Sequence, residues 1–217
     1  LIAVHADAAR HNREHFAARG MFAINLMGAP GAGKTALLEA TAHRLASRSP
    51  IAVIEGDQAT DRDSRRIRAA GAAAFQVETG VGCHLDAAQV HRALDQLGPD
   101  CDGGLLLIEN VGNLVCPALF DLGEHLRALV TSPTEGVDKP LKYPPMFRAA
   151  DVVVLNKYDL LPHLRFAVGE WTDYVQAVNP RARIIFTSAI SGEGIDEWLR
   201  ALDLSRGTLL DCTGRRE

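Results

Sequence analysis

The sequence predicts an α/β fold with a mostly parallel central sheet and helices on both faces. Three observations predict it. Short apolar runs alternate along the chain with segments of helical period, the pattern of strands joined by crossover helices. The runs are continuously apolar, as in GGLLLIEN and DVVVL, which is how a strand covered on both faces reads. The chain has 217 residues, enough for one domain with its own core.

In order, residues 1–20 read as a polar helix ending at Gly20. MFAINLMG (21–28) reads as a buried strand, and TALLEATAHRLASR (35–48) carries apolar residues at helical spacing. IAVIEGD (51–57) is a second strand, TDRDSRRIRAAGA (60–72) a charged helix and AAFQVETG (73–80) a third strand. LDAAQVHRALDQL (85–97) is an amphipathic helix and GGLLLIEN (103–110) a strand. HLRALVTSP (125–133) and DVVVLNKYDL (151–160) are further strands, separated by a Pro-rich stretch, EGVDKPLKYPPMF (135–147). WTDYVQAVNP (171–180) is a helix, ARIIFTSA (182–189) a strand and GIDEWLRAL (194–202) a last helix. The closing SRGTLLDCTGRRE (205–217) reads as a loosely tied tail.

Apolar residues at 47% and charged residues at 23% are ordinary globular values, which excludes a disordered chain, collagen and a coiled coil. The formal charge of −4 argues against a nucleic-acid partner held by phosphate neutralisation. No apolar run approaches the roughly 20 residues needed to cross a bilayer, so no membrane partner is expected. No secretory signal pattern is visible, although the chain starts at Leu1 rather than Met. Four cysteines do not suggest a disulfide framework at this size, and a reducing, cytoplasmic setting is expected.

Gly28-Ala29-Pro30-Gly31-Ala32-Gly33-Lys34-Thr35 matches G-x-x-x-x-G-K-[ST], between a strand and a helix. The glycines let backbone N–H groups curl around a phosphate, and the helix start adds partial positive charge. Lys34 reaches the outer phosphates and the Thr35 hydroxyl suits Mg²⁺. The fold class thereby narrows to a P-loop NTPase. Gly31, Ala32, Gly33, Lys34, Thr35 and Ala36 are the candidate phosphate site.

Asn156-Lys157-Tyr158-Asp159 follows an apolar strand and resembles the NKxD base-recognition motif of GTPases. A carboxylate accepts two hydrogen bonds from guanine N1–H and N2–H₂, a donor pair adenine lacks, so GTP/GDP is the expected ligand and Asp159 its selector. Asn156 suits the base edge and the phosphate loop, and the Lys157 stem suits packing over the ring. Thr187-Ser188-Ala189, at the end of a later strand, resembles the second guanine motif, with Ser188 and Ala189 at the base.

Glu55-Gly56-Asp57 and Glu109-Asn110-Val111-Gly112 end two strands, where ligands bind in open α/β sheets. One carboxylate there can hold Mg²⁺ and another can position water. Lys34, Asp57 and Glu109 are the candidate catalytic residues, with Thr35, Asp57 and Glu109 around Mg²⁺. Asp61 and Asp63 read as caps or surface charges. Asn113, not glutamine, follows Gly112, which predicts slow intrinsic hydrolysis.

Cys83-His84 lies at a loop-to-helix junction, and Cys116 lies in the loop after the Glu109 strand. Thiolates with an imidazole suit Zn²⁺ or Ni²⁺. The set could be completed by Cys116, by water or by a second subunit. An inert buried Cys83 thiol and a Cys83–Cys116 disulfide are the competing readings. Cys101 and Cys212 have no adjacent histidine and read as structural. His11 and His15, four apart, share a helix face read as solvated, with a weak metal site as the alternative.

These segments together resemble the HypB family, SIMIBI-class P-loop GTPases that help insert nickel into [NiFe]-hydrogenase. The matching stretches are NLMGAPGAGKTALLE, IEGDQATDRDSRRI, GCHLDA, IENVGNLVCPALFDLGE, EGVDKPLKYPPMF, ADVVVLNKYDLLP and TSAISGEGIDEW, over residues 21–200. The resemblance implies a metal site of Cys83, His84 and Cys116 in the GTPase domain. It puts Asp57 and Glu109 near Mg²⁺ and the γ-phosphate, and Asn156 and Asp159 on guanine. It also implies a nucleotide-linked homodimer, a HypA-type nickel protein and the hydrogenase large subunit as partners. The expected organisation is an N-terminal helical extension (1–20), a GTPase domain with metal-binding loops (21–203) and a C-terminal tail (204–217). Ala88 stands where some relatives carry a further histidine, which favours a single shared metal, with His91 left as a substitute. Lys139 and Lys142 could touch nucleotide in their own subunit or across the dimer. Urease-accessory GTPases of the UreG type lack the ENVGNLVCP segment. A regulatory GTPase with a structural zinc is the remaining alternative.

Overall fold

The computed structural model describes residues 2–57, 62–79 and 82–203, with the backbone alone for residues 2–5, 57 and 62. Asp61, Cys212 and the tail 204–217 lie outside the described residues. In chain order the elements are α1 (Ile2–Ala18), β1 (Phe22–Met27), α2 (Lys34–Leu45), β2 (Ile51–Asp57), α3 (Arg62–Ala69), β3 (Ala73–Glu78), α4 (Ala87–Gln96) and β4 (Leu105–Glu109). There follow β5 (Leu126–Thr131), α5 (Lys139–Lys142), α6 (Pro144–Ala149), β6 (Val152–Leu155), α7 (Val168–Val178) and β7 (Arg183–Phe186). A last helix, α8, spans residues 195–203.

The seven strands form one sheet in the order β3-β2-β4-β1-β5-β6-β7. Every pairing is parallel, so all strand C-terminal ends meet at one edge of the sheet. Side chains alternate between faces along each strand. On β1, Phe22, Ile24 and Leu26 enter a core with Leu37 and Leu38 of α2, Ile67 of α3 and Trp198 of α8. Ala23 enters the opposite core, with Phe16 of α1 and Val90 and Leu94 of α4. Met27 joins a third cluster with Phe147 of α6 and Trp171 and Val175 of α7. The buried Trp198 indole N–H donates to Thr41 Oγ1 at 2.9 Å, so its burial leaves no orphaned donor.

Helix α1 is tied into this body. Phe16 is fully buried, and the Asn12 amide donates to the carbonyls of Ala87 and Leu122 at 2.8 Å each. Helix α4 starts with a capping box, Asp86 accepting from the Gln89 N–H and Gln89 from the Asp86 N–H. The Pro-rich stretch is more ordered than its composition suggests. It holds two short helices, α5 and α6, each with proline in its first turn, where a missing N–H and a preset φ cost nothing. Among the described residues no helix is long and apolar enough to cross a membrane.

Candidate nucleotide and metal site

The parallel sheet delivers the predicted residues to one edge. The loop after β1 turns into α2 through Gly33, whose φ of 97° falls in the left-handed region. A Cβ at Gly33 would collide with the Asn156 amide, so this position needs glycine for both shape and space. Gly31 and the buried Ala32 precede it, while Lys34, Thr35 and Ala36 open α2. The Lys34 ammonium points along the loop, with Nζ 3.4 Å from the Gly28 carbonyl and 3.3 Å from that of Ala29. A cleft of about 360 Å³ opens over this loop, walled by Lys34, Thr35, Glu55, Asp63 and Glu109.

Strand β4 lies beside β1, which sets Glu109 opposite the start of α2. Thr35 Oγ1 donates to Glu109 Oε1 at 3.0 Å. The other oxygen, Oε2, is buried with no partner, so this carboxyl fits a cation or a polarised water. Burial pushes the Glu109 pKa up to about 7, against the opposing pull of Lys34 and the Thr35 hydroxyl. Glu55 is in register with Glu109 on the neighbouring β2 and accepts from Ser64 Oγ. Asp57 ends β2, its backbone two residues beyond Glu55. Asp63, read from sequence as a cap or surface charge, also lines the cleft while bonding Arg66 at 3.1 Å. Its place depends on how α3 folds back, which spacing along the chain does not encode.

The predicted base-reading residues converge through hydrogen bonds. The Asn156 amide donates to the carbonyls of Ala32 (3.3 Å) and Gly33 (3.2 Å). Its Oδ1 accepts from Thr187 Oγ1 and the Ala189 N–H, each at 3.2 Å. Lys157 has a left-handed backbone with φ of 58° and donates from Nζ to the Gly31 carbonyl at 2.6 Å. Ser188 Oγ donates to Asp159 Oδ1 at 2.5 Å, fixing a carboxylate that is half-buried rather than buried.

Cys83, His84 and Cys116 come together, with ligand atoms all within 4.8 Å of one another. Cys83 Sγ lies 2.9 Å from Cys116 Sγ and 3.4 Å from His84 Nδ1. The sulfurs are unbonded thiols, and Cys83 is exposed, so neither the disulfide nor the inert buried thiol describes Cys83. The hydrogen bond with Cys83, then burial, holds the Cys116 thiol above the ordinary range, an effect a bound cation reverses. The His84 ring stacks on Phe120 at 3.7 Å between centroids, a brace that no motif announced. Two soft thiolates and an imidazole are a donor set suited to Zn²⁺ or Ni²⁺. His91 is grouped not with these ligands but with His15 and Asp95. Cys101 is buried among apolar residues.

Two hydrogen-bonded threads join this set to the cleft. Asn110, the residue after Glu109, accepts at Oδ1 from the Leu85 N–H at 3.0 Å, directly beside His84. The Asn113 N–H donates to the Gly28 carbonyl at 3.0 Å. The Asn113 side chain accepts from the N–H groups of Val115 (2.7 Å) and Cys116 (3.3 Å).

Residues 22–186 match the CobW/HypB/UreG nucleotide-binding domain. The chain is 56% identical to hydrogenase maturation factor HypB of Azotobacter vinelandii over 202 residues, 93% of this chain. It spans 66% of the length of that relative. The crystal structure of hydrogenase maturation factor HypB from Archaeoglobus fulgidus superposes with a TM-score of 0.86 at 42% identity, covering 95% of this chain and 99% of that one. HypB from Helicobacter pylori, crystallised in complex with nickel, gives a TM-score of 0.88 at 35% identity, covering 94% and 95%. With the domain model spanning most of the sequence and these relatives matching along nearly all of it, the chain belongs to the HypB family of hydrogenase maturation factors and carries its nucleotide-binding domain.

Proposed function

We propose that this chain is a GTP-binding and GTP-hydrolysing metallochaperone that assists nickel insertion into [NiFe]-hydrogenase, with nucleotide state controlling dimerisation and metal affinity. The observation that carries the reading is the pair of threads from the cleft to the thiolate–imidazole set, through Asn110 to Leu85 and through Asn113 to Cys116. Any movement of the loop after β4 is thereby felt at two of the three metal-ligand positions.

In this reading Gly31, Ala32, Gly33, Lys34 and Ala36 hold the phosphates, and Asn156, Lys157, Asp159, Ser188 and Ala189 hold guanine. Thr35, Asp57 and Glu109 hold Mg²⁺, which neutralises phosphate charge when bound. Glu109 also orients the attacking water. With no glutamine after Gly112, turnover is slow, as suits a switch. Nickel is the cargo of Cys83, His84 and Cys116, and zinc fits the same donors. The exposed Val115 and Leu119 flank Cys116 and suit a second copy of the chain, which completes the coordination. A HypA-type nickel protein supplies the metal and the hydrogenase large subunit receives it. A reducing, cytoplasmic setting keeps such a thiolate donor set available to a metal.

A nucleotide can shift metal affinity only by binding two conformations unequally. The test is nickel titration of the GDP-loaded and GTP-analogue-loaded protein, with sedimentation of both. Different nickel affinities and a dimer favoured by one nucleotide are expected. Equal affinities with a monomer in both states would sink the reading.

A further inference from the structure

Helices α1 and α4 present two ligand-bearing pairs to each other. His11 and His15 lie four apart on α1, and His91 and Asp95 lie four apart on α4, so each pair projects from one helix face. The pairs meet. The His91 ring centroid lies 4.8 Å from that of His11 and 5.3 Å from that of His15. His91 Nε2 lies 3.8 Å from Asp95 Oδ2. Ligand atoms of His15, His91 and Asp95 all fall within 4.8 Å of one another.

The hydrogen-bond inventory is incomplete where the pairs meet. The Nδ1 atoms of both His15 and His91 are buried and lack any partner. A buried polar atom without a partner is costly, and two in one cluster call for an explanation. Neither the nucleotide cleft nor the thiolate set uses these rings.

We propose that His15, His91 and Asp95, with His11 as a fourth donor, form a second site for a first-row divalent cation of the nickel and zinc type. Imidazole nitrogens with one carboxylate oxygen are a borderline donor set that takes such cations readily. Donors bonded at about 2.0–2.2 Å to one tetrahedral ion stand about 3.5 Å apart, so the cluster closes by roughly an ångström through side-chain rotation. The Arg19 guanidinium nearby opposes a cation, but it is held by Asp102 at 2.6 Å and by the carbonyls of Leu94, Leu97 and Gly98. Asp95 supplies the balancing negative charge.

The site is separate from the thiolate set. Cys83 and His84 precede the first residue of α4, whereas His91 and Asp95 sit in its second and third turns. Because it contains no sulfur, its spectrum is distinct, and its test is independent of the nucleotide-coupled reading.

The experiment uses Co²⁺ as the probe on the full chain carrying Cys83→Ser and Cys116→Ser, which removes both sulfur donors of the thiolate set. We expect about one Co²⁺ per chain, with d–d bands and no sulfur-to-metal charge transfer. Adding His91→Gln should abolish binding, and adding Asp95→Asn instead should weaken it roughly tenfold or more. Asp95 is half-exposed on the helix surface, so its variant keeps the proposal testable even if His91→Gln fails to fold. No Co²⁺ uptake by the Cys83→Ser, Cys116→Ser protein, or uptake unchanged by Asp95→Asn, would overturn it.

Discussion

The Asn156 side-chain amide donates to the Gly33 carbonyl at 3.2 Å, so the base-reading loop and the phosphate loop are one hydrogen-bonded unit. Gly33 permits this by its missing Cβ and its left-handed backbone. Gly33→Ala must therefore twist the loop and push Asn156 away together. The expected cost is about 1–3 kcal/mol of stability, the range for a strained backbone. Binding of a fluorescent guanine nucleotide should be lost as well. Urea unfolding and a nucleotide titration read the two effects, and retained binding in the variant would break the link.

Asp159 is held by Ser188 with a carboxylate oxygen left for a ligand. In Asp159→Asn the acceptor that would meet the guanine N2–H₂ and N1–H pair becomes partly a donor. GTP affinity should fall roughly 10–100-fold, since a mispaired charge-assisted bond costs about 1.5–3 kcal/mol. Xanthosine nucleotides, which replace the N2 donor with an acceptor, should gain. Competition binding with both nucleotides decides it. An unchanged preference for GTP would remove Asp159 from the base site.

Much of this was legible in the sequence, for physical reasons. Stretches such as 105–108 of β4 and Val152–Leu155 are continuously apolar because helices cover both faces, so composition alone marks them. Parallel strands then force Lys34, Glu109 and Asn156 to one edge, which makes local motifs sufficient to assemble the cleft. What escaped depends on contacts between distant segments. Phe120 reaches His84 across a loop, Asn110 reaches Leu85, and α3 returns Asp63 to the cleft. His91 faces α1 rather than the thiolates, a matter of helix rotation that a spacing of seven from His84 does not fix. The Pro-rich stretch hid α5 and α6 because proline reads as a breaker unless its place in the first turn is known.

Asn113 stands between Gly28 and Cys116, with its backbone on the phosphate loop and its side chain on the Cys116 turn. Asn113→Ala leaves the backbone bond and removes the side-chain acceptor. GTP affinity should stay within about threefold, since no ligand contact is lost. Nickel affinity should drop, and its difference between GDP and GTP forms should shrink. Parallel nickel titrations in both nucleotide states measure this. A full nucleotide effect in the variant would route the coupling elsewhere.

The thiolate set lies on surface loops, with Cys83 exposed and none of its three members in the apolar clusters. A structural zinc would behave otherwise, because its binding energy is folding energy. Chelation of the metal, or Cys83→Ala, should therefore leave the thermal midpoint within about 3 °C. The same change should abolish hydrogenase maturation in a complementation assay. Unfolding on chelation would instead make the metal structural.

Glu109 sets a pH dependence in the nucleotide-free protein. Burial raises its folded pKa to about 7, while the unfolded carboxyl titrates near its ordinary value of about 4.3. Below that ordinary value both states hold the proton, and the contribution to stability is complete. As pH rises the unfolded chain ionises first, so stability falls until the folded group ionises near 7, and then levels off. The carboxyl of Glu135, at the end of the short turn Pro133–Glu135 and also raised to about 7 by burial, adds a slope of the same sign. Glu109→Gln removes one of the two. The variant should be flatter between pH 5 and 8 and more stable at pH 8, by an amount on the order of 3 kcal/mol if burial is its whole cause. It should also lose GTP turnover by about 100-fold or more, as expected for a group that orients water. Urea midpoints across pH, set beside single-turnover hydrolysis, separate the two effects. A variant that keeps the wild-type slope while losing hydrolysis would show that Glu109 does not carry the pH dependence.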